Sequence, residues 1–176
     1  IIKEIIRAYR IPILEVAGYE ADDVIGTLAT EAGRQGIITY MMTPDKDYGQ
    51  LVSDKVFMYR PKHTGGFEVM GVDEVKAKFD IQSPAQVIDM LGLMGDSSDN
   101  IPGCPGVGEK TAQKLIAEFG SIENLLEHTD QLKGALKTKV ETNREMITFS
   151  KFLATIKIDV PIQLDMDSLV REQADE

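Results

Sequence analysis

The chain has 176 residues, 43% of them hydrophobic, which is enough for one good core with a small appended subdomain. No apolar run approaches a membrane span, the opening Ile1-Ile-Lys-Glu-Ile-Ile-Arg7 lacks the form of a secretory signal, and a single cysteine, Cys104, excludes an internal disulfide and suits a reducing compartment. A formal charge of -10 argues against a general polyanion-binding coat, so any phosphate-binding patch must be local, and a chain that begins with Ile reads as a fragment.

In chain order, Ile2, Ile5, Ile6 and Tyr9 predict a helix end over residues 1–9, and Ile11 to Ala17 a short strand. Val24, Ile25, Leu28, Ala29 and Ala32 mark the buried stripe of a helix whose first turn carries Glu20, Asp22 and Asp23. Carboxylates at a helix N-terminus are ordinarily caps, but three acids in four residues exceed what capping needs. Gly36 to Met42 reads as a buried strand, and Thr43-Pro-Asp45-Lys-Asp47 as the turn after it. Sites in open α/β sheets form beyond the carboxyl ends of parallel strands, where these acids fall; the ordinary alternative is an Asx turn opening a short helix.

Residues 55–59 and 66–70 predict an edge hairpin, followed by helices at roughly 72–79 and 84–94. The chain is then helical throughout: about 109–119, a helix from Ser121 with a capping-box start, and about 131–150. The tail from Ile156 ends in a charged stretch expected to lack order. The fold class is therefore α/β, a mostly parallel sheet with helices over 1–95, a helical portion over 96–155 and a tail over 156–176. His63, in a Pro/Gly loop, and His128, at a helix end, read as surface residues.

The junction, Gly92 to Ala112, joins two chemistries. Asp96 and Asp99 sit three apart after an apolar run, so a helix continued through them would place both on one side of its C-terminal turn, where the dipole is negative. A bound cation removes that conflict; a polar helix terminus running into a turn is the plainer alternative. Gly103, Gly106 and Gly108 then let backbone amides approach an anion, with Val107 between them and a helix N-terminus following at Lys110 and Thr111. The spacing is not that of a P-loop or a Rossmann turn, which favours the phosphates of a nucleic-acid backbone over a nucleotide.

Charge is unevenly placed. Residues 1–102 carry 10 basic and 16 acidic side chains, residues 103–151 carry 7 and 7, and residues 152–176 carry 2 and 6. Seven of those first sixteen acids belong to three groups at element ends: Glu20, Asp22 and Asp23; Asp45 and Asp47; Asp96 and Asp99. Lys110, Lys114, Lys133, Lys137 and Lys139 are the candidates for a local basic patch.

Two carboxylates about 4 Å apart repel by about 4 kcal/mol at an effective dielectric near 20, so a converged set must bind cations. Two divalent ions about 3.5 to 4 Å apart can clamp the attacking and leaving oxygens of an in-line phosphoryl displacement, and oxygen-only ligands favour Mg2+ or Mn2+ over zinc. Beside phosphate-binding amides, this chemistry points to phosphodiester hydrolysis. Neither histidine lies near these groups in sequence, so no Ser-His-Asp relay or histidine-zinc site is offered.

At four stretches the chain resembles the 5'-3' exonuclease domain of bacterial DNA polymerase I, related to flap endonucleases. These are Gly18-Tyr-Glu-Ala-Asp-Asp-Val-Ile-Gly26, Asp45-Lys-Asp47, Gly95-Asp-Ser-Ser-Asp-Asn-Ile-Pro-Gly103 and Pro105-Gly-Val-Gly-Glu-Lys-Thr-Ala112. The resemblance implies a PIN-like sheet followed by a helix-hairpin-helix-type subdomain. It implies metal ligation, direct or through water, by Glu20, Asp22, Asp23, Asp45, Asp47, Asp96 and Asp99, with Asp22, Asp23, Asp96 and Asp99 catalytic. It implies DNA binding at Gly103, Gly106, Val107, Gly108, Lys110, Thr111 and Lys114, with a monovalent cation such as K+ on the turn's carbonyls. The implied task is removal of RNA primers and 5' flaps from duplex DNA in the bacterial cytoplasm, by a monomer with a polymerase region covalently attached and no membrane partner.

The family has Gly where Pro44 stands, and it begins with a strand bearing a metal-binding Asp, a further acidic ligand and a basic arch, none of which precedes Ile1. Two other readings therefore stand beside the nuclease: a non-catalytic DNA-binding module, and a receiver-like phosphoacceptor built on Asp22, Asp23 and Asp45. The second gives the glycine turn and the helical half no role.

Overall fold

A computed structural model describes residues 1–62 and 64–174, so the expectation for His63 lies outside the described residues. Helix α1 (Ile2–Ala8) is followed by residues 11–17, which form no strand. A strand needs a ladder partner for its backbone groups, and none of the described residues supplies one there. Helix α2 (Ala21–Arg34) buries Val24, Gly26, Ala29 and Ala32 with Leu28 half-buried, which is the predicted stripe except for Ile25, 39% exposed.

Strands β1 (Thr39–Met42) and β2 (Val56–Pro61) pair in parallel, and β2 pairs antiparallel with β3 (Phe67–Met70). The hairpin is as the sequence predicts. β1 is not the fully buried strand expected: Met41 is buried, but Tyr40 and Met42 lie on an outer face where Tyr40 stacks on Phe57 and Tyr59 on Phe67. Between β1 and β2 a 3-10 turn, Lys46–Leu51, brings the chain back across the carboxyl ends of the strands. Helix α3 (Val72–Phe79) and a short 3-10 turn, Pro84–Gln86, lead into α4 (Val87–Met94).

The core centres on α4, whose Val87, Met90, Leu91 and Leu93 are fully excluded from solvent. Around it pack α5 (Glu109–Phe119), α6 (Ile122–Glu127) and α8 (Arg144–Ala154), with α7 (Gly134–Thr142) against α8. The long helix predicted at 131–150 is broken at Asn143, which leaves helical geometry and turns its Nδ2 back to donate to the Lys139 carbonyl at 2.7 Å. Ser121 caps α6, accepting from the Asn124 amide, but the predicted capping box is not completed, because the Asn124 side chain donates to the Phe119 carbonyl at 2.7 Å; the buried Asp89 accepts from the Ile122 amide at 2.9 Å. His128 is half-buried, its Nδ1 lying 2.9 Å from the Asn124 carbonyl.

Lys151 ties three helices together, donating to Asp89 at 2.6 Å and Glu123 at 2.7 Å. Burial alone would lower its pKa, but the two carboxylates outweigh that and hold it above the ordinary lysine value. Lys151→Met leaves the Asp89 carboxylate buried without its ammonium, and is expected to cost about 2 kcal/mol in urea unfolding, with no gain on adding salt.

The tail is more ordered than its charge suggests. Ile156 and Val160 are buried, the Thr27 hydroxyl bonds the backbone of both Lys157 and Val160, and Gly26 leaves room for Ile156 against α2. Apolar contact fixes this stretch despite its charged neighbours.

Candidate metal and nucleic-acid site

Each acid group is delivered by a different element end. Asp45, three residues past β1, caps the 3-10 turn, its Oδ1 accepting from the Asp47 amide at 3.0 Å, which is the Asx-turn geometry. Asp47 follows inside that turn. Asp96 and Asp99 do not ride on a helix as predicted. Gly95, at φ 74°, ends α4 first, and residues 96–101 form a tight loop closed by two backbone hydrogen bonds between Asp96 and Ile101.

The loop achieves what the helix was expected to do. One carboxylate oxygen each from Asp47, Asp96 and Asp99 lies within 4.8 Å of the other two. Asp47 and Asp96 are buried and Asp99 is exposed. Glu20, Asp22, Asp23 and Asp45 are not in that tight cluster, but with Asp47 and Asp99 they line an adjoining cleft of about 280 Å³. Part of their capacity is already committed. Asp23 accepts from the Lys157 amide at 2.8 Å and the Glu20 amide at 3.4 Å, and Asp22 from the Asp23 amide at 3.0 Å.

Electrostatics single out Asp47. Its Oδ1 is buried and has no hydrogen-bond partner among the described residues. Burial, then the Asp45 charge, with further pushes from Asp96 and Asp99, raises its pKa to about 7 against a smaller pull from Lys46. Burial first, and then the charges of Asp23 and Asp45, also push Asp22 up, and burial with Asp22, Asp45 and Asp23 drives the Tyr48 hydroxyl to about 12. Asp96 goes the other way: burial would raise it, but Lys46 and the Ser98 amide hold it below the usual carboxylate range. Lys46, whose ammonium bonds Asp96 and lies 3.8 Å from Asp47, is a residue that the sequence reading missed. Its place between two candidate ligands in Asp-Lys-Asp was the available signal.

At the glycine turn the predicted residues separate. Gly103 and Val107 are buried, and the Gly103 amide is spent on the Ser150 hydroxyl at 2.9 Å, so these two hold the fold. Gly106, Gly108, Lys110 and Lys114 are exposed and Thr111 half-buried. Gly108 caps α5 with no side chain and its carbonyl takes the Thr111 amide at 3.0 Å, which leaves the Glu109 and Lys110 amides to present at the helix start. Lys139 stands behind the turn, donating to the Gly106 carbonyl at 3.3 Å, while Lys133 and Lys137 lie farther along. The Cys104 thiol is buried among these groups, and burial pushes its pKa up.

Two family models match the chain end to end: "5'-3' exonuclease, N-terminal resolvase-like domain" over residues 1–80, and "5'-3' exonuclease, C-terminal SAM fold" over residues 82–176. The chain belongs to the 5'-3' exonuclease family. Among curated relatives, DNA polymerase I of Bacillus subtilis is 46% identical over 96% of this chain and 19% of its own length. That of Bacillus caldotenax is 43% identical over 99% of this chain and 20% of its own length. The exonuclease chain thus spans about one fifth of the relatives it matches. Among solved structures, T5 D15 flap endonuclease, in a pseudo-enzyme-product complex with DNA and metal ions, superposes with a TM-score of 0.69 at 23% identity, covering 80% of this chain and 51% of that one. That likeness concerns the fold. No helix among the described residues is long and apolar enough to cross a membrane.

Proposed function

We propose that this chain is the metal-binding and DNA-holding part of a structure-specific 5'-3' exonuclease that hydrolyses phosphodiesters at 5' flaps and primer ends, in a bacterial cytoplasmic protein that also carries a polymerase region. The observation that carries the reading is the buried Asp47 Oδ1, without a hydrogen bond among the described residues, inside a set of three carboxylates gathered from two separate loops. A hard divalent cation such as Mg2+ or Mn2+ takes oxygen ligands of this kind, so the residues present fit one. Asp47, Asp96 and Asp99 would hold it directly, and Glu20, Asp22, Asp23 and Asp45 would hold a second ion or its waters from the adjoining cleft. Such ions supply activation of the attacking water and charge compensation at the phosphate.

The chain's own residues do the remaining work. The open amides at the start of α5, with Lys110, Lys114 and Thr111, hold the phosphates of the duplex beyond the cleavage point. A monovalent cation on the turn's carbonyls would share Gly106 with the Lys139 ammonium.

A 5'-labelled flap duplex incubated with the chain and Mg2+ is expected to be cut, with EDTA or the double substitution Asp96→Asn, Asp99→Asn abolishing product. An intact flap that is still gel-shifted would instead mark this piece as a non-catalytic DNA-binding module, needing ligands it does not contain. Cutting that survives both controls would sink the proposed site.

A further inference from the structure

The carboxylate ridge divides two grooves of opposite charge. On one side is the acidic cleft. On the other is a groove of about 390 Å³ lined by Asp45, Lys46, Arg60, Lys78, Ser98 and Asp99. Asp45 and Asp99 border both, so whatever lies across the acids runs directly into the second groove. Its three cations come from three elements: Lys46 from the 3-10 turn, Arg60 from the end of β2 and Lys78 from the last turn of α3.

Lys46 is committed to Asp96, whereas the other two are more loosely engaged. Arg60 donates through Nη1 to the Met70 sulfur at 3.6 Å and pairs with Glu68 at 3.8 Å, while its Nε is buried and without a hydrogen bond among the described residues. No carboxylate lies within ion-pair distance of Lys78 among the described residues, and its ammonium rests 5.6 Å from the centre of the Phe79 ring. Its pKa is held below the ordinary lysine value, first by desolvation and then by repulsion from Arg60 and Lys46, with Glu68 pulling the other way. Cations that repel one another in a shared groove, with donors unspent, are arranged for an anion.

We propose that Arg60 and Lys78 bind a backbone phosphate of the nucleic-acid strand whose scissile bond lies at Asp47, Asp96 and Asp99, giving the chain a phosphate site beside its carboxylates in addition to the glycine turn. The site rests on the nuclease reading. Arg60 offers a planar fork and Lys78 a point charge, so the site reads phosphate without reading sequence.

The test is fluorescence anisotropy of a labelled 5'-flap duplex, with Ca2+ as the oxygen-ligand cation, between about 50 and 200 mM salt. Arg60→Gln with Lys78→Gln is expected to flatten the slope of log K against log salt by about one, for the one phosphate no longer neutralised. Charge-conserving Arg60→Lys with Lys78→Arg should keep the slope, which separates lost contacts from misfolding. Lys110→Gln with Lys114→Gln reports on the glycine turn independently. If that variant loses slope while the groove variant does not, the groove proposal is overturned and the nuclease reading stands. Absence of binding by the unsubstituted chain overturns both. Stabilisation by millimolar inorganic phosphate that depends on Arg60 and Lys78, with an unaltered DNA slope, would show a free-phosphate site and overturn the strand assignment.

Discussion

Asp47→Asn is expected to make the metal-free protein more stable at pH 8 while removing its catalytic competence. In the folded chain the Asp47 carboxyl is raised from 3.8 to about 7, chiefly by burial and by Asp45. The native state therefore holds a proton more tightly than the unfolded chain, and stability falls as pH rises through the window from about 4 to about 7. Above that window the native state bears a buried charge whose penalty is about 4 kcal/mol at 1.36 kcal/mol per pKa unit. Asparagine carries no such charge. The variant should gain about 8 to 16 °C in Tm over the parent at pH 8 and almost nothing at pH 4, since each kcal/mol is worth about 2 to 4 °C in a chain of this size. Divalent cation narrows the gap: the parent gains RT ln(1 + [L]/Kd), about 2.7 kcal/mol at one hundred times Kd, while the variant has lost a ligand and gains less. Thermal melts at both pH values, with and without Mn2+, check this. A stability difference that does not change with pH would mean that Asp47 carries no such penalty.

That strain also explains what the sequence could and could not tell. The three acid groups were legible because each followed an apolar run and so had to fall at an element end, where a site can form. Their convergence was legible as chemistry, because carboxylates in such number make poor neighbours without a cation. The division of labour was not. Asp23 and Asp45 look equivalent to Asp47 in sequence, yet Asp23 is partly consumed by the Lys157 amide, from a stretch 134 residues away. The docking of residues 156–160 rests on Gly26 opposite Ile156, a packing coincidence that no local pattern carries. In the fold, periodicity found α5 and the β2–β3 hairpin because apolar spacing decides both. It ran α7 and α8 together, since the break at Asn143 depends on one side chain reaching the Lys139 carbonyl. It also made a strand of residues 11–17, because alternation specifies a face but not a partner.

The glycines of the turn give the sharpest case, and Gly103→Ala is expected to cost about 4 kcal/mol, or about 8 to 16 °C in Tm. Gly103 sits at φ 63°, a region that costs alanine about 1 to 2 kcal/mol. Its added methyl would also meet backbone rather than side chain, 2.7 Å from Gly95 Cα and from the Met94 carbonyl carbon. Nothing flexible is there to yield, and overpacking of that kind adds about 1 to 3 kcal/mol. Gly108→Ala is the control. That residue has φ -97°, and no atom lies within 4 Å of its would-be methyl, so its cost should stay within about 1 kcal/mol. The two glycines read identically in sequence, but one is a spacer between backbones and the other an open helix start. Gly103 presses directly on Gly95, the residue before Asp96, so Gly103→Ala should also weaken Mn2+ binding, while Gly108→Ala should lower affinity for flap DNA and leave the metal alone. Urea unfolding, Mn2+ titration and DNA anisotropy on the same two proteins separate these effects. Equal stability losses in both would mean that the close approach of Gly103 to Gly95 is not what holds the metal loop in place.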